Sequence, residues 1–136
     1  MNKTALILAG AALALTGTSV SAGSAANGDT RQGEARLARM IAGRTAGTPQ
    51  SCIDTFRSDK LEVIPGVAVV YDGGKTVYVA RPKDPHMLGR NDALVTDRFS
   101  PVRLCVQESM RTIDRYDHYP TGVVFLQDFV PYTRAR

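Results

Sequence analysis

Between Val67 and Arg81 the chain reads VAVVY-DGGK-TVYVAR, two runs of β-branched and aromatic residues around a polar tetrad. Gly73 and Gly74 both tolerate positive φ, so this segment predicts a β-hairpin with Gly73-Gly74 as its two-residue turn. That register sets Asp72 opposite Lys75, Val70 opposite Val77 and Ala68 opposite Val79. On the other face it pairs Val69 with Tyr78 and Val67 with Ala80. Both faces are largely apolar, so both need a cover, and the hairpin belongs at the centre of the fold.

The remaining pattern supplies the covers. Leu37, Met40 and Ile41 recur at i, i+3 and i+4, which predicts a helix over about residues 30–42 with Asp29 as N-cap, Gln32 three residues on, and Gly43 as the stop. Gly33 weakens that helix. Arg36 and Arg39 flank the apolar stripe, and a basic amphipathic helix can lie on an anionic membrane. This one is short, and packing against the sheet is the favoured reading. Thr45–Pro49 breaks structure. Short strands are expected at Gln50–Ile53, Leu61–Ile64, Leu94–Thr96, Val102–Val106 and Met110–Asp114. Two polar loops, at 82–93 and Asp114–Thr121, separate them. Gly122–Val130 is the last strand, with Val123, Phe125 and Phe129 on one face, Val124 and Leu126 on the other, and Pro131 closing it. The fold class is mainly β (α+β): a compact antiparallel sheet, sandwich or small barrel of about six or seven strands with one N-terminal helix.

The first 22 residues stand apart from that pattern. Lys3 precedes an apolar stretch from Ala5 to Leu15, and Val20-Ser21-Ala22 offers small residues for a signal peptidase. Cleavage is expected after Ala22, with Ala25 and Ala26 as alternatives. The stretch is shorter than the ~20 apolar residues of a membrane span. No cysteine lies near the cut, which argues against a lipid anchor. Residues 1–22 therefore read as a signal peptide, 23–28 as a disordered N-terminus, and 29–136 as a single small β-rich domain. The expected product is periplasmic or secreted, soluble after cleavage.

Export changes the reading of the two cysteines. An even count in an exported chain predicts a bridge between Cys52 and Cys105. Closing a loop of about fifty residues would contribute ~4 kcal/mol in the chain-entropy account. The alternative, a catalytic cysteine, needs a base beside it, and nothing local supplies one. Charge adds little. The net charge is +4, the arginines are scattered, and no nucleic-acid footprint is indicated.

Chemistry-bearing patterns are sparse. His86 and His118 each neighbour an aspartate, but they lack the local spacing of a zinc set. No G-x-S-x-G nucleophile elbow is present, and Gly73-Gly74 lies between strands rather than before a helix, so it is no phosphate loop. No catalytic residue, metal ligand or cofactor is assigned. The loop Asp114-Arg115-Tyr116-Asp117-His118-Tyr119 is the exception, because tyrosine and arginine are enriched where interfaces concentrate their energy. Arg115, Tyr116, His118 and Tyr119, together with His86 and Arg90 of the other polar loop, form a candidate recognition surface; the competing reading has the tyrosines plugging the open ends of the core.

Several spaced segments resemble a group of small exported proteins of Gram-negative bacteria: Gly43-Arg44-x-Ala46-Gly47-x-Pro49-x-x-Cys52-Ile53, Gly66-x-Ala68-x-Val70-Tyr71, Tyr78-x-x-Arg81-Pro82, Leu94-Val95-Thr96, Leu104-Cys105 and Phe129-Val130-Pro131-Tyr132. The likeness spans about residues 34–133. It implies export and a cysteine pair, and carries no activity, cofactor or catalytic residue with it. Two function classes follow. One is a non-enzymatic envelope protein that binds a protein or an envelope component. The other is a small hydrolase or lyase with a site of dispersed residues. The partner and the oligomeric state are not written in the sequence.

Overall fold

A computed structural model describes residues 24–57, 60–97 and 100–135; the expected signal peptide lies outside them. Helix α1 (Ser24–Ile41) is followed by β1 (Arg44–Ala46), β2 (Cys52–Asp54), β3 (Leu61–Ile64), β4 (Ala68–Asp72) and β5 (Thr76–Ala80). After a 3-10 turn at Pro85–Met87 come β6 (Asp92–Thr96), β7 (Arg103–Cys105), β8 (Met110–Asp114), β9 (Pro120–Val124) and β10 (Val130–Arg134). All pairings are antiparallel. They form a five-stranded sheet in the order β1-β10-β5-β4-β3, a three-stranded sheet β6-β8-β9 and a two-stranded sheet β2-β7. The mainly β class with a single helix is the one expected. The ten strands among the described residues exceed the predicted number, because β1 forms where no strand was expected and the last predicted strand divides into two.

The β4–β5 hairpin is central, but its turn sits one residue later than Gly73-Gly74. Tyr71 pairs with Tyr78, Val70 with Val79, Val69 with Ala80 and Asp72 with Val77. The Gly73 N–H donates to the Thr76 carbonyl at 3.0 Å, so Gly74 and Lys75 are the two turn residues. Gly74 has φ +80°, while Lys75 stays at negative φ, a pattern that matches a II′ turn rather than I′. One long-range and one local contact hold this turn. The Arg44 guanidinium donates to the carbonyls of Lys75 (2.6 Å) and Gly74 (3.0 Å), and the Asp72 carboxylate accepts from the Gly74 N–H at 2.8 Å. Gly73 is needed beside the turn, since a Cβ there would lie 2.8 Å from the Thr76 carbonyl oxygen.

The partner of each residue moves by two positions, so the side chains within β4 and β5 keep their predicted faces; Val67, expected opposite Ala80, precedes β4 and turns to the helix side instead. Ala68, Val70, Val77 and Val79 join Leu37 and Ile64 in one buried cluster, with Met40 and Ile41 of α1 packed on it. Val69, Tyr71 and Ala80 join a second cluster with Ile53, Leu104, Met110, Val124, Leu126 and Phe129. The molecule is thus layered: helix, five-stranded sheet, then the two smaller sheets.

Helix α1 starts at Ser24, so Asp29 lies within it and is not its cap. Asp29 instead pairs with Arg90. Gly33 has a positive role: a Cβ there would come 2.7 Å from Val67 Cγ2 and 3.0 Å from Ile64 Cγ2, so its absence lets the helix approach the β3–β4 turn. Arg81 donates to both oxygens of Glu34 at 2.6 and 3.0 Å, tying the helix to the end of β5. This fork holds the Glu34 carboxyl below, and the Arg81 guanidinium above, their ordinary values. Both side chains are nearly half exposed, so the pair contributes only about 0–1 kcal/mol.

Two boundaries differ from expectation. Arg44–Ala46 forms β1 against β10, although the segment from Thr45 reads as a break. Pro131 lies inside β10 rather than ending a strand. Its carbonyl accepts from Gly47 N–H at 2.7 Å, just past β1, so the missing proline N–H faces that short edge and not β5. The chain also leaves β9 after Val124 and crosses to the five-stranded sheet. Lys83 N–H donates to the Phe125 carbonyl, Gln127 N–H to that of Arg81, and Gln50 bridges Phe129. The crossing resets the alternation, burying Phe129 while Val123 and Phe125 stay exposed.

Cys52 and Cys105 face each other across β2 and β7 and form the disulfide. Replacing both by serine should lower unfolding stability by about 2–4 kcal/mol in denaturant titrations. An unchanged midpoint would show that β2–β7 holds without the bridge. Gly33→Ala should destabilise by about 1–3 kcal/mol, despite a helix-propensity gain of about 1 kcal/mol. Urea unfolding decides the sign, and a stabilised variant would mean that the helix does not need this close approach.

Candidate recognition surface

The β8–β9 connection is built on Asp114. Its carboxylate accepts the backbone N–H of Tyr116 at 2.8 Å and of Asp117 at 2.9 Å. Its carbonyl accepts from His118 N–H at 3.0 Å, and its own N–H donates to the Tyr119 carbonyl at 2.9 Å. His118 closes the turn in the left-handed region at φ 57°, which histidine visits more readily than most residues. Four hydrogen bonds thus fix the backbone of a short loop that carries three rings. Tyr116 is 76% exposed and Tyr119 53% exposed, and His118 and Arg115 are exposed as well. The tyrosines do not plug the ends of the core.

The two polar loops meet, in part. Arg115 N–H donates to the Asn91 carbonyl at 2.9 Å, and Arg115 Nε donates to the Asp92 carbonyl at 3.2 Å. The buried Asp92 carboxylate accepts from Gly89 N–H and from Thr121 Oγ1, both at 2.8 Å, so one side chain fastens the 82–93 loop to the start of β9. Gly89 is required here, because a Cβ would lie 2.7 Å from Asp92 Oδ2. Met87, partly exposed, covers Gly122 of β9. Arg90 departs from the expected surface: its guanidinium pairs with Asp29 on α1. His86 is exposed in the 3-10 turn, where its N–H donates to the Asp84 carboxylate at 2.9 Å.

The outer face of β9 and the residue that follows the strand add side chains that the sequence pattern did not single out for recognition. Val123 is 42% exposed and Phe125 61% exposed. Their sequence signal was ambiguous, since alternation alone does not say which face of a strand is covered. Among the described residues, no group of three or more His, Cys, Asp and Glu side chains is placed to hold a metal ion. No helix among them is long and apolar enough to cross a membrane.

The carboxylate–amide bonds give the loop a pH dependence. The N–H groups of Asp117 and Tyr116, aided by His118, hold the Asp114 carboxyl below the ordinary aspartate range. A carboxyl lowered in the folded state contributes its stabilisation above the unfolded value of about 4 and loses it as pH falls through the folded value. The amide resonances of Tyr116 and Asp117 should therefore titrate together, below about pH 4. Asp114→Ala should abolish that shared titration and speed exchange of both amides at neutral pH; unchanged exchange would show that the carboxylate does not order the loop.

Comparison of the chain with protein-family models, with curated proteins and with solved structures found no match in any of the three.

Proposed function

We propose that this chain is a non-enzymatic binding protein of the bacterial envelope, exported by a signal peptide in residues 1–22, that recognises a protein or envelope component through the Arg115–Tyr119 loop. The observation that carries this reading is the pair of exposed tyrosines on a loop whose backbone is already fixed by Asp114. Tyrosine presents a large amphipathic surface with few rotatable bonds, and a preformed loop pays little ordering entropy on binding. The disulfide supports an oxidising compartment, periplasmic or extracellular. The likeness to small exported Gram-negative proteins points the same way. A concavity joining a histidine to a carboxylate and an arginine would favour a hydrolase or lyase. Both histidines instead lie exposed on loops, so the binding reading is preferred.

The test is crosslinking in intact cells, followed by purification of the tagged protein and mass spectrometry. One partner should be recovered near stoichiometry and should be lost with the Tyr116→Ala/Tyr119→Ala double variant at unchanged melting temperature. Recovery of the same partner with both tyrosines removed would exclude this loop as the recognition surface.

A further inference from the structure

On the other side of the 82–93 loop, α1 and the β3–β4 turn enclose a cleft of about 410 Å³, within the roughly 300–1,000 Å³ range of small-ligand sites. Gln32, Arg36 and Arg39 line it from the helix, Ile64 and Pro65 from the turn, and Arg90 from the loop. Three arginines from two distant parts of the chain thus line one concavity. Arg36 and Arg39 are three residues apart and share a helix face.

The charges around the cleft do not balance. Glu62 contacts Arg36 NH2 at 2.8 Å, and Asp29 contacts Arg90 NH2. Among the described residues Arg39 makes no ion pair. A guanidinium has five N–H donors, so Arg36 and Arg90 each keep most of theirs beyond the nitrogen that meets its carboxylate. Asp29 and Glu62 also hold those two side chains in place, which lowers the ordering cost of a ligand.

We infer that this cleft binds a phosphate-type oxyanion, with Arg39 as the principal fork and Arg36 and Arg90 as flanking donors. Planar guanidinium groups suit the bidentate geometry of phosphate oxygens, and a phosphoryl group would balance the charge that three arginines leave over after Asp29, which also lines the cleft, and Glu62. Gln32 adds amide donors on the same wall, and Pro65 gives an apolar contact for the carbon part of a phosphate ester. The inference stands apart from the tyrosine loop, and its failure would leave that reading untouched.

The experiment follows backbone amides of the purified chain during titration with inorganic pyrophosphate. In parallel, it measures sedimentation with phosphatidylcholine vesicles, with and without phosphatidic acid. Saturable shifts are expected at Gln32, Arg36, Arg39 and Arg90, and Arg39→Gln should weaken binding by roughly tenfold or more. Arg103→Gln, an exposed charge on β7, should leave binding unchanged. Arg90→Gln serves as the second cleft variant should Arg39→Gln unfold. Sedimentation that needs both phosphatidic acid and Arg39 would place the phosphate on a lipid headgroup; saturation by pyrophosphate alone would make it a free phosphate ester. No saturable response to either probe, or an equal loss in Arg39→Gln and Arg103→Gln, overturns the site.

Discussion

The structure depends on one constraint: the β4–β5 hairpin is apolar on both faces. Val69, Tyr71 and Ala80 on one side, and Ala68, Val70, Val77 and Val79 on the other, are all nearly or fully buried. A hairpin of this kind has no solvent-facing side, so the rest of the chain must supply two covers. At ~25 cal/mol per Å² of apolar surface, neither face can be left open in a domain this small. The helix covers one face and the pair of smaller sheets the other.

The two covers are held by different means. On the helix side contact is direct and close, and Gly33 makes room for Val67 and Ile64. The Glu34–Arg81 fork adds direction more than energy, since it is exposed. The opposite cover consists of short strands in separate sheets, too small to stand alone. There the chain uses fasteners: the disulfide across β2–β7, the buried Asp92 carboxylate between Gly89 and Thr121, and the crossing from Phe125 to Phe129 back to the central sheet.

Legibility follows the same division. The hairpin, its two faces and the helical stripe were readable because each is a local period with burial as its cause. The turn position was not, because Gly73 and Gly74 satisfy either placement and one of the contacts that hold the turn comes from Arg44, some thirty residues away. Strand β1 and the interior Pro131 were hidden for a related reason: their propensities are poor, and only pairing with β10 and the orientation of one carbonyl make them acceptable. The loop rings were visible as residue types, and the Asp-x-x sequence after Asp114 carries a turn signal. Arg90 was misplaced because its partner, Asp29, read as a helix cap.

The residues 89–92 separate the two surfaces and explain why they can be probed independently. Arg90 turns towards α1 and Asp29, whereas the Asn91 and Asp92 carbonyls turn towards Arg115. Adjacent residues of one short segment therefore serve opposite sides, and the buried Asp92 side chain is the pivot that fixes both orientations. A change at Asp92 disturbs the loop and the cleft together, because it releases the backbone that carries both sets of contacts. Changes at Arg39 or Tyr116 touch only the tips of exposed side chains and leave that backbone as it is. An effect confined to one surface is thus a statement about binding, whereas an effect on both is a statement about the fold.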